Sequence, residues 1–349
     1  MCGIAGFITT RPTESGQLVE RVTRMTDQIV HRGPDDSGAW VDVESGVGLG
    51  SRRLAIVDLS PAGHQPMISA CGRYVIAYNG EVYNFGALRG ELSPRGHKFR
   101  GHSDTEVILA TVAEWGLEAA VKKFVGMFAI ALWDQPQRTL HLVRDRLGIK
   151  PVYYGWAGPS FLFGSELKAL RAHPDFVPSI NRDALALYMR YNEVPQPYSI
   201  YEKTFKLPPG CILSVPVRER SIPRDVTPVP FWSARKVAER GVADPFKGSE
   251  ADAIEQLDTL LRDSVKLRMI ADVPLGAFLS GGIDSSTVVA LMQAQSSLRV
   301  KTFTIVFAES EYNEAGHAKA VAAHLGTEHT ELYVTQEEAR AVIPKLPFY

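Results

Sequence analysis

The chain opens MCGIAGF, with Cys2 directly behind the initiator methionine. A thiol at a terminus, where chains fray, adds little packing and invites oxidation, so this cysteine is either chance or a nucleophile. A second chemical signal lies far downstream, where SGGIDSS (280–286) sits between an apolar strand and an apolar helix. Its glycines permit positive φ and close approach of backbone amides to a ligand, and a helix starting near Asp284 offers free N–H groups and the positive end of its dipole. Such a loop cradles an anion of phosphate type. The bland alternative is a tight strand-to-helix turn with a capping serine. Ser280, Ser285, Ser286 and Asp284 crowded into one loop favour the anion. No GK[ST] follows, so the lysine that grips β- and γ-phosphates is missing and chemistry at an α-phosphate fits better.

Composition bounds what these residues can serve. The 349 residues are 45% hydrophobic and 22% charged, enough for two domains, each with a core. A formal net charge of −1 argues against a nucleic-acid partner and suits a small neutral or zwitterionic substrate. Cys2, Cys71 and Cys211 form no CxxC pair, which argues against a disulfide framework or a thiolate zinc site and suits a reducing cytosol. The nine histidines show no metal spacing. Neither a signal peptide nor an eighteen-residue apolar run is visible, so no membrane span is expected and the terminus is read as the working one.

The elements that must position these groups fall into two patterns. After a strand GIAGFI, Leu18, Val22, Met25 and Ile29 recur at helical spacing. From Val47 to Tyr154, β-rich runs (LAIVDL, YVIAYN, MFAIALWD, TLHLVRD, PVYYG) come in succession with helices at NFGALRGEL and TEVILATVAEWG, which predicts a mostly antiparallel sheet layered with helices. Residues 216–249 carry scattered prolines and charge without apolar period and read as a linker between a domain over 2–215 and another over 250–349. Ser249 is placed to cap the next helix, with Asp252 in its first turn. Beyond it, strand and helix alternate as β-α-β-α-β, the pattern of a parallel sheet.

SGGIDS resembles the PP-loop of the ATP pyrophosphatases. With MCGIAGF, HRGPDDSG, RRLAIVDL, YNGEVYN and HSDTEVI in order upstream, the whole chain resembles glutamine-dependent asparagine synthetase. The resemblance implies an α/β protein: an N-terminal Ntn-hydrolase-type αββα sandwich, the class II glutamine amidotransferase domain, followed by an incomplete parallel Rossmann-like PP-loop domain that lacks the later part of the family's synthetase portion.

The resemblance also implies removal of Met1, which puts the Cys2 thiol beside a free α-amino group. That amine titrates near ~7.7–8.0, close enough to neutrality to take a thiol proton and return one. Arg53 aligns with the arginine that clamps the glutamine carboxylate, a guanidinium being suited to a two-pronged grip, and Leu54, Ile56 and Val57 follow it in the same motif. Asp104 is implied as acceptor of the glutamine ammonium, with Glu81 sharing the task; from residue types alone Asp104 reads equally as a helix N-cap. Asn79 and Gly80 match the oxyanion hole, although Asn-Gly is also a hairpin turn signal. On the nucleotide side, Ser280, Gly281, Gly282, Asp284, Ser285 and Ser286 are implied to surround pyrophosphate, Asp284 to meet Mg²⁺ accompanying ATP, and Leu279 and Ile305 to line adenine, where both are also natural core positions. VRDRLGIKPVYYG reads as mainly structural.

The function so implied is hydrolysis of glutamine through a Cys2 thioester and transfer of ammonia to an aspartyl adenylate made from aspartate and ATP. The products are asparagine, glutamate, AMP and pyrophosphate; the setting is cytoplasmic, and two copies can pair as a homodimer. Three alternatives stay open: an amidotransferase acting on another acceptor, a glutaminase alone if the chain ends where it does, and a non-catalytic glutamine-binding protein.

Overall fold

The apolar stripe Leu18, Val22 and Met25 lies along α1 (Ser15–Asp27) and is buried with Ala5 and Phe7 of β1 (Gly3–Thr9) and with Ile29 just past the helix. Burying one such aliphatic side chain stabilises by about 1.5–3 kcal/mol, so this stripe fixes α1 on its sheet. The computed structural model describes residues 2–218, 221–307 and 314–349. Removal of Met1, and residues 219 and 220 of the expected linker, lie outside them. The chain forms two compact units, Met1–Asp244 and Pro245–Tyr349.

The first unit continues through β2 (Asp36–Asp42), β3 (Val47–Arg53), β4 (Met67–Ile68), β5 (Tyr74–Val82), α2 (Phe85–Leu92), α3 (Asp104–Trp115), α4 (Leu117–Lys123), β6 (Gly126–Asp134) and β7 (Thr139–Arg144). It then runs through β8 (Tyr153–Ala157), β9 (Ser160–Gly164), α5 (Leu167–Arg171), α6 (Arg182–Tyr191), β10 (Thr204–Lys206), β11 (Cys211–Pro216), β12 (Val229–Pro230) and α7 (Ala234–Ala243). Two antiparallel sheets result, ordered β10-β8-β9-β1-β3-β2 and β12-β11-β7-β6-β5-β4.

Alternation along the strands builds the layers. Ile4 and Ile8 point one way from β1 and share a core with Val75, Ala77, Ala129, Ala131 and Trp133 of the second sheet. Ala5 and Phe7 point the other way, under α1 and α5. Ile76 and Tyr78 on the far face of β5 meet Leu88, Val107, Ile108 and Val121 of α2, α3 and α4. The order is helices, sheet, sheet, helices: the αββα sandwich. The stretch 216–249, read as a linker, carries β12 paired to β11 and the exposed helix α7.

The second unit comprises α8 (Glu250–Arg268), β13 (Gly276–Phe278), α9 (Ile283–Ala294), β14 (Lys301–Phe307), α10 (Ala315–Leu325), β15 (Glu328–Val334) and α11 (Gln336–Val342). Ser249 caps α8 through the Asp252 N–H at 3.2 Å, and the Asp252 carboxylate returns to the Ser249 N–H at 2.8 Å. The strands β13-β14-β15 pair in parallel, as the alternation of strand and helix predicts. Among the described residues no helix is long and apolar enough to cross a membrane.

Candidate active site

Antiparallel pairing sets Gly3 opposite Arg52, so Cys2 stands beside the chain as it leaves β3. The Leu54 N–H donates to Cys2 Sγ at 3.3 Å, and the thiol reaches the Leu54 carbonyl at 3.5 Å. Burial pushes the thiol above its ordinary range, the Leu54 bond and Arg53 opposing this and Asp104 adding to it. The run LAIVDL, expected as β-rich, is instead an irregular loop. Buried Arg53 holds it so: its Nη2 donates to the Val57 carbonyl at 3.2 Å and to the Asp58 carbonyl, and Asp58 takes φ +58°. Carbonyls turned onto a guanidinium are lost to a sheet ladder.

Asn79, Gly80 and Glu81 lie inside β5, opposite Ala129, Phe128 and Met127. The Asn-Gly pair therefore makes no turn. Asn79 is fully buried, and neither its amide nitrogen nor its amide oxygen has a hydrogen-bond partner among the described residues. Leaving such groups unpaired is costly and marks a place where a ligand can complete them. Gly80 is required by close approach: a Cβ there would lie 2.2 Å from the Met127 carbonyl oxygen. Burial and the neighbouring Asp104 raise Glu81 to about 7, with Lys150 opposing.

Ser103, not Asp104, caps α3, accepting the Thr105 N–H at 3.1 Å. Asp104 is the first helical residue, which frees its carboxylate to accept from the Tyr78 hydroxyl at 2.8 Å and the Val82 N–H at 3.0 Å. Burial pushes this carboxyl up, the two bonds working against it. Gln65 joins the same corner, its Oε1 accepting the Tyr78 N–H at 2.7 Å and its amide donating to Thr105 Oγ1 at 3.3 Å.

One pocket collects these groups. Cys2, Arg53, Leu54, Ile56, Val57, Asn79, Gly80, Glu81 and Asp104 all line it, together with Gln65, Tyr78, Ser103, Thr105, Met127 and Lys150. Lys150 is the addition that the sequence reading missed. Its segment was read as structural, and it is that too: Asp145 accepts the N–H groups of Leu147, Ile149 and Lys150 and of Phe128 on β6, folding the turn that delivers the lysine. Burial lowers the Lys150 ammonium below the usual lysine range, while Cys2, Asp145 and Glu81 pull it back. Nothing in the spacing of RDRLGIK forecasts this placement.

In the second unit, SGGIDSS folds as the turn between β13 and α9. Gly281 takes φ +84°, whereas Gly282 is extended at φ −71° and precedes the helix. Ser280 and Ser285 join their hydroxyls at 3.0 Å, and buried Ser286 Oγ has no partner among the described residues. Asp284 occupies the exposed first turn of α9. Leu279 is buried with Val289, Ala318 and Ala322, while Ile305 is 48% exposed on β14. Among the described residues no group of three or more His, Cys, Asp or Glu could hold a metal ion.

A thiol just ahead of the leading strand of an αββα sandwich, sharing one pocket with an unpartnered amide, a guanidinium and two carboxylates, defines a glutamine amidotransferase domain. The glutamine amidotransferase domain family matches residues 1–225, and the asparagine synthase family matches residues 256–349. The chain belongs to the glutamine-hydrolysing asparagine synthetase family. A putative asparagine synthetase of this type from Methanocaldococcus jannaschii is 37% identical, over 99% of this chain and 67% of its own length. Asparagine synthetase 1 of Bacillus subtilis is 35% identical over 100% of this chain and 52% of its own, and amidase chry2 of Gibberella zeae 32% identical over 97% and 52%. The chain thus spans about half the length of these last two relatives.

Proposed function

We propose that the first unit hydrolyses glutamine at Cys2 and that the ammonia serves ATP-dependent amidation of aspartate, giving asparagine, glutamate, AMP and pyrophosphate. The observation that carries the reading is the buried, unpartnered amide of Asn79 in one pocket with Cys2. Arg53 grips the glutamine carboxylate, and Asp104 with Glu81 receives the ammonium. That orients the side-chain amide toward the thiol. With Met1 removed, the α-amine takes the thiol proton, which the raised thiol needs before attack, and returns it to the leaving ammonia. The Asn79 amide and the Gly80 N–H receive the negative charge that develops on the carbonyl oxygen. Water then cleaves the thioester.

Ser280, Gly281, Gly282, Asp284, Ser285 and Ser286 hold the pyrophosphate part of ATP, which the dipole of α9 and the unpartnered Ser286 hydroxyl favour. Ile305 is the exposed candidate for the adenine contact, and buried Leu279 supports the loop from below. Asp284 would be the residue that meets the Mg²⁺ accompanying the nucleotide, where the cation would offset phosphate charge. Three unbridged cysteines suit a cytoplasmic setting, and a homodimer follows from the family resemblance alone.

The test is release of glutamate from glutamine by the chain and by Cys2→Ala, with glutamine binding measured alongside. Hydrolysis disappears in the variant while binding persists; equal rates would sink the reading. ATP–pyrophosphate exchange dependent on aspartate tests the second half. A relative named as an amidase, covered over the same 52% of its length as the Bacillus subtilis synthetase, favours a second reading in which the acceptor differs, and product mass with a panel of carboxylates separates the two.

A further inference from the structure

The carboxylate of Asp58 is fully buried and, unlike its neighbours Ile56 and Val57, does not line the pocket. It instead joins the two segments that do. On one side, its own carbonyl receives the Arg53 guanidinium, and its Oδ1 accepts the N–H of Ser60 at 3.1 Å and the Ser60 hydroxyl. On the other, Oδ2 accepts the N–H of His102 at 2.8 Å and of Ser103 at 3.2 Å. Ser103 is the cap that starts α3 and sets the direction of Asp104. The approach is close enough that a Cβ on Gly101 would lie 2.2 Å from Asp58 Oδ2. Burial works against charge here, but the Ser60 and His102 bonds prevail and hold the Asp58 carboxyl below its ordinary range.

We propose that Asp58 is a positioning residue: by tying the Arg53 loop to the start of α3, it fixes the spacing of Arg53 and Asp104 and so sets the grip on the two charged ends of glutamine. The inference rests on the reading of this pocket as a glutamine site. A zwitterion held at both ends demands a fixed distance between a cation and an anion, and neither Arg53 nor Asp104 contacts the other directly to enforce it. A single ionised carboxylate with four N–H and O–H donors from two loops does so, since hydrogen bonds to a charged group are about twice as strong as neutral ones.

The experiment is Asp58→Asn, which keeps the shape and removes the charge and half the acceptor capacity, measured for glutamine hydrolysis and for alkylation of Cys2 by iodoacetamide, a reagent with no α-carboxylate or α-amine. KM for glutamine rises about 10-fold or more, kcat falls less than KM rises, and the alkylation rate stays at the wild-type value. Gly101→Ala, which presses a methyl group on the same carboxylate, gives the same split if Asp58→Asn does not fold. An unchanged KM in a folded variant overturns the proposal, as does a parallel loss of hydrolysis and alkylation, or failure of both variants to fold, either of which makes Asp58 purely architectural. Wild-type protein that does not hydrolyse glutamine would instead overturn the glutamine reading itself.

Discussion

Tyr78 donates its hydroxyl to Asp104 at 2.8 Å, from the middle of β5 to the first turn of α3, so the sheet that carries the candidate oxyanion hole also steadies the candidate ammonium acceptor. Both residues are buried, and a bond of this kind to an ionised group contributes about 1.5–3 kcal/mol. Tyr78→Phe lowers stability by that order in a denaturant titration. Because the Tyr78 bond opposes the rise of the Asp104 carboxyl, its loss raises that group further, and glutamine KM begins to climb at a higher pH than in the wild type.

Asn79→Ala separates activity from stability. The Asn79 amide has no partner among the described residues, so its removal forfeits no hydrogen bond seen there and the melting temperature holds or rises. Loss of one oxyanion donor lowers kcat by about 100- to 1,000-fold. A variant whose kcat and melting temperature fall together would contradict this assignment.

Glu81 sits at about 7, raised by burial and by Asp104. In the unliganded protein it is therefore largely neutral below pH 7 and charged above, and attraction for the glutamine ammonium strengthens as pH rises through that value. KM for glutamine falls over the same window, and Glu81→Gln flattens the profile. The stability sign is the reverse: a carboxyl whose folded value is raised loses stability as pH climbs from its ordinary range toward 7. Glu81→Gln accordingly melts higher than wild type at pH 8 and nearly equal to it at pH 4.

Gly281→Ala tests the nucleotide loop. At φ +84° a side chain is strained, and its Cβ would lie 2.7 Å from His317 Cβ and 2.8 Å from the Ala318 nitrogen at the start of α10. ATP binding by calorimetry is lost or falls at least 10-fold, while glutamine hydrolysis by the first unit is unchanged.

Much of this architecture is visible in the chain because local patterns carried it: the Leu18, Val22, Met25 stripe, the Ser249 cap with Asp252, and the alternation of strand and helix after residue 270 all speak through neighbours in sequence. What stayed hidden was set at a distance. LAIVDL has the composition of a strand, but Arg53 takes its carbonyls. Asn79-Gly80 has the composition of a turn, but pairing with β6 on one side and the next sheet on the other keeps β5 straight through it. Ser103 and Asp104 are both good caps, and only the tertiary pull of Tyr78 and Val82 on the aspartate decides which one serves. Tyr78, Gln65 and Lys150 join the pocket through packing that no spacing rule encodes.

β1, which directly follows Cys2, is an inner strand, flanked by β3 on one side and by β9, residues Ser160–Gly164, on the other. During synthesis β1 can pair with β3 soon after it is made but must wait for its second neighbour until Ser160–Gly164 have followed. The strand behind the candidate nucleophile therefore gains its second neighbour late, and a chain cut short before Ser160 leaves β1 at a sheet edge with its backbone groups unpaired on that side.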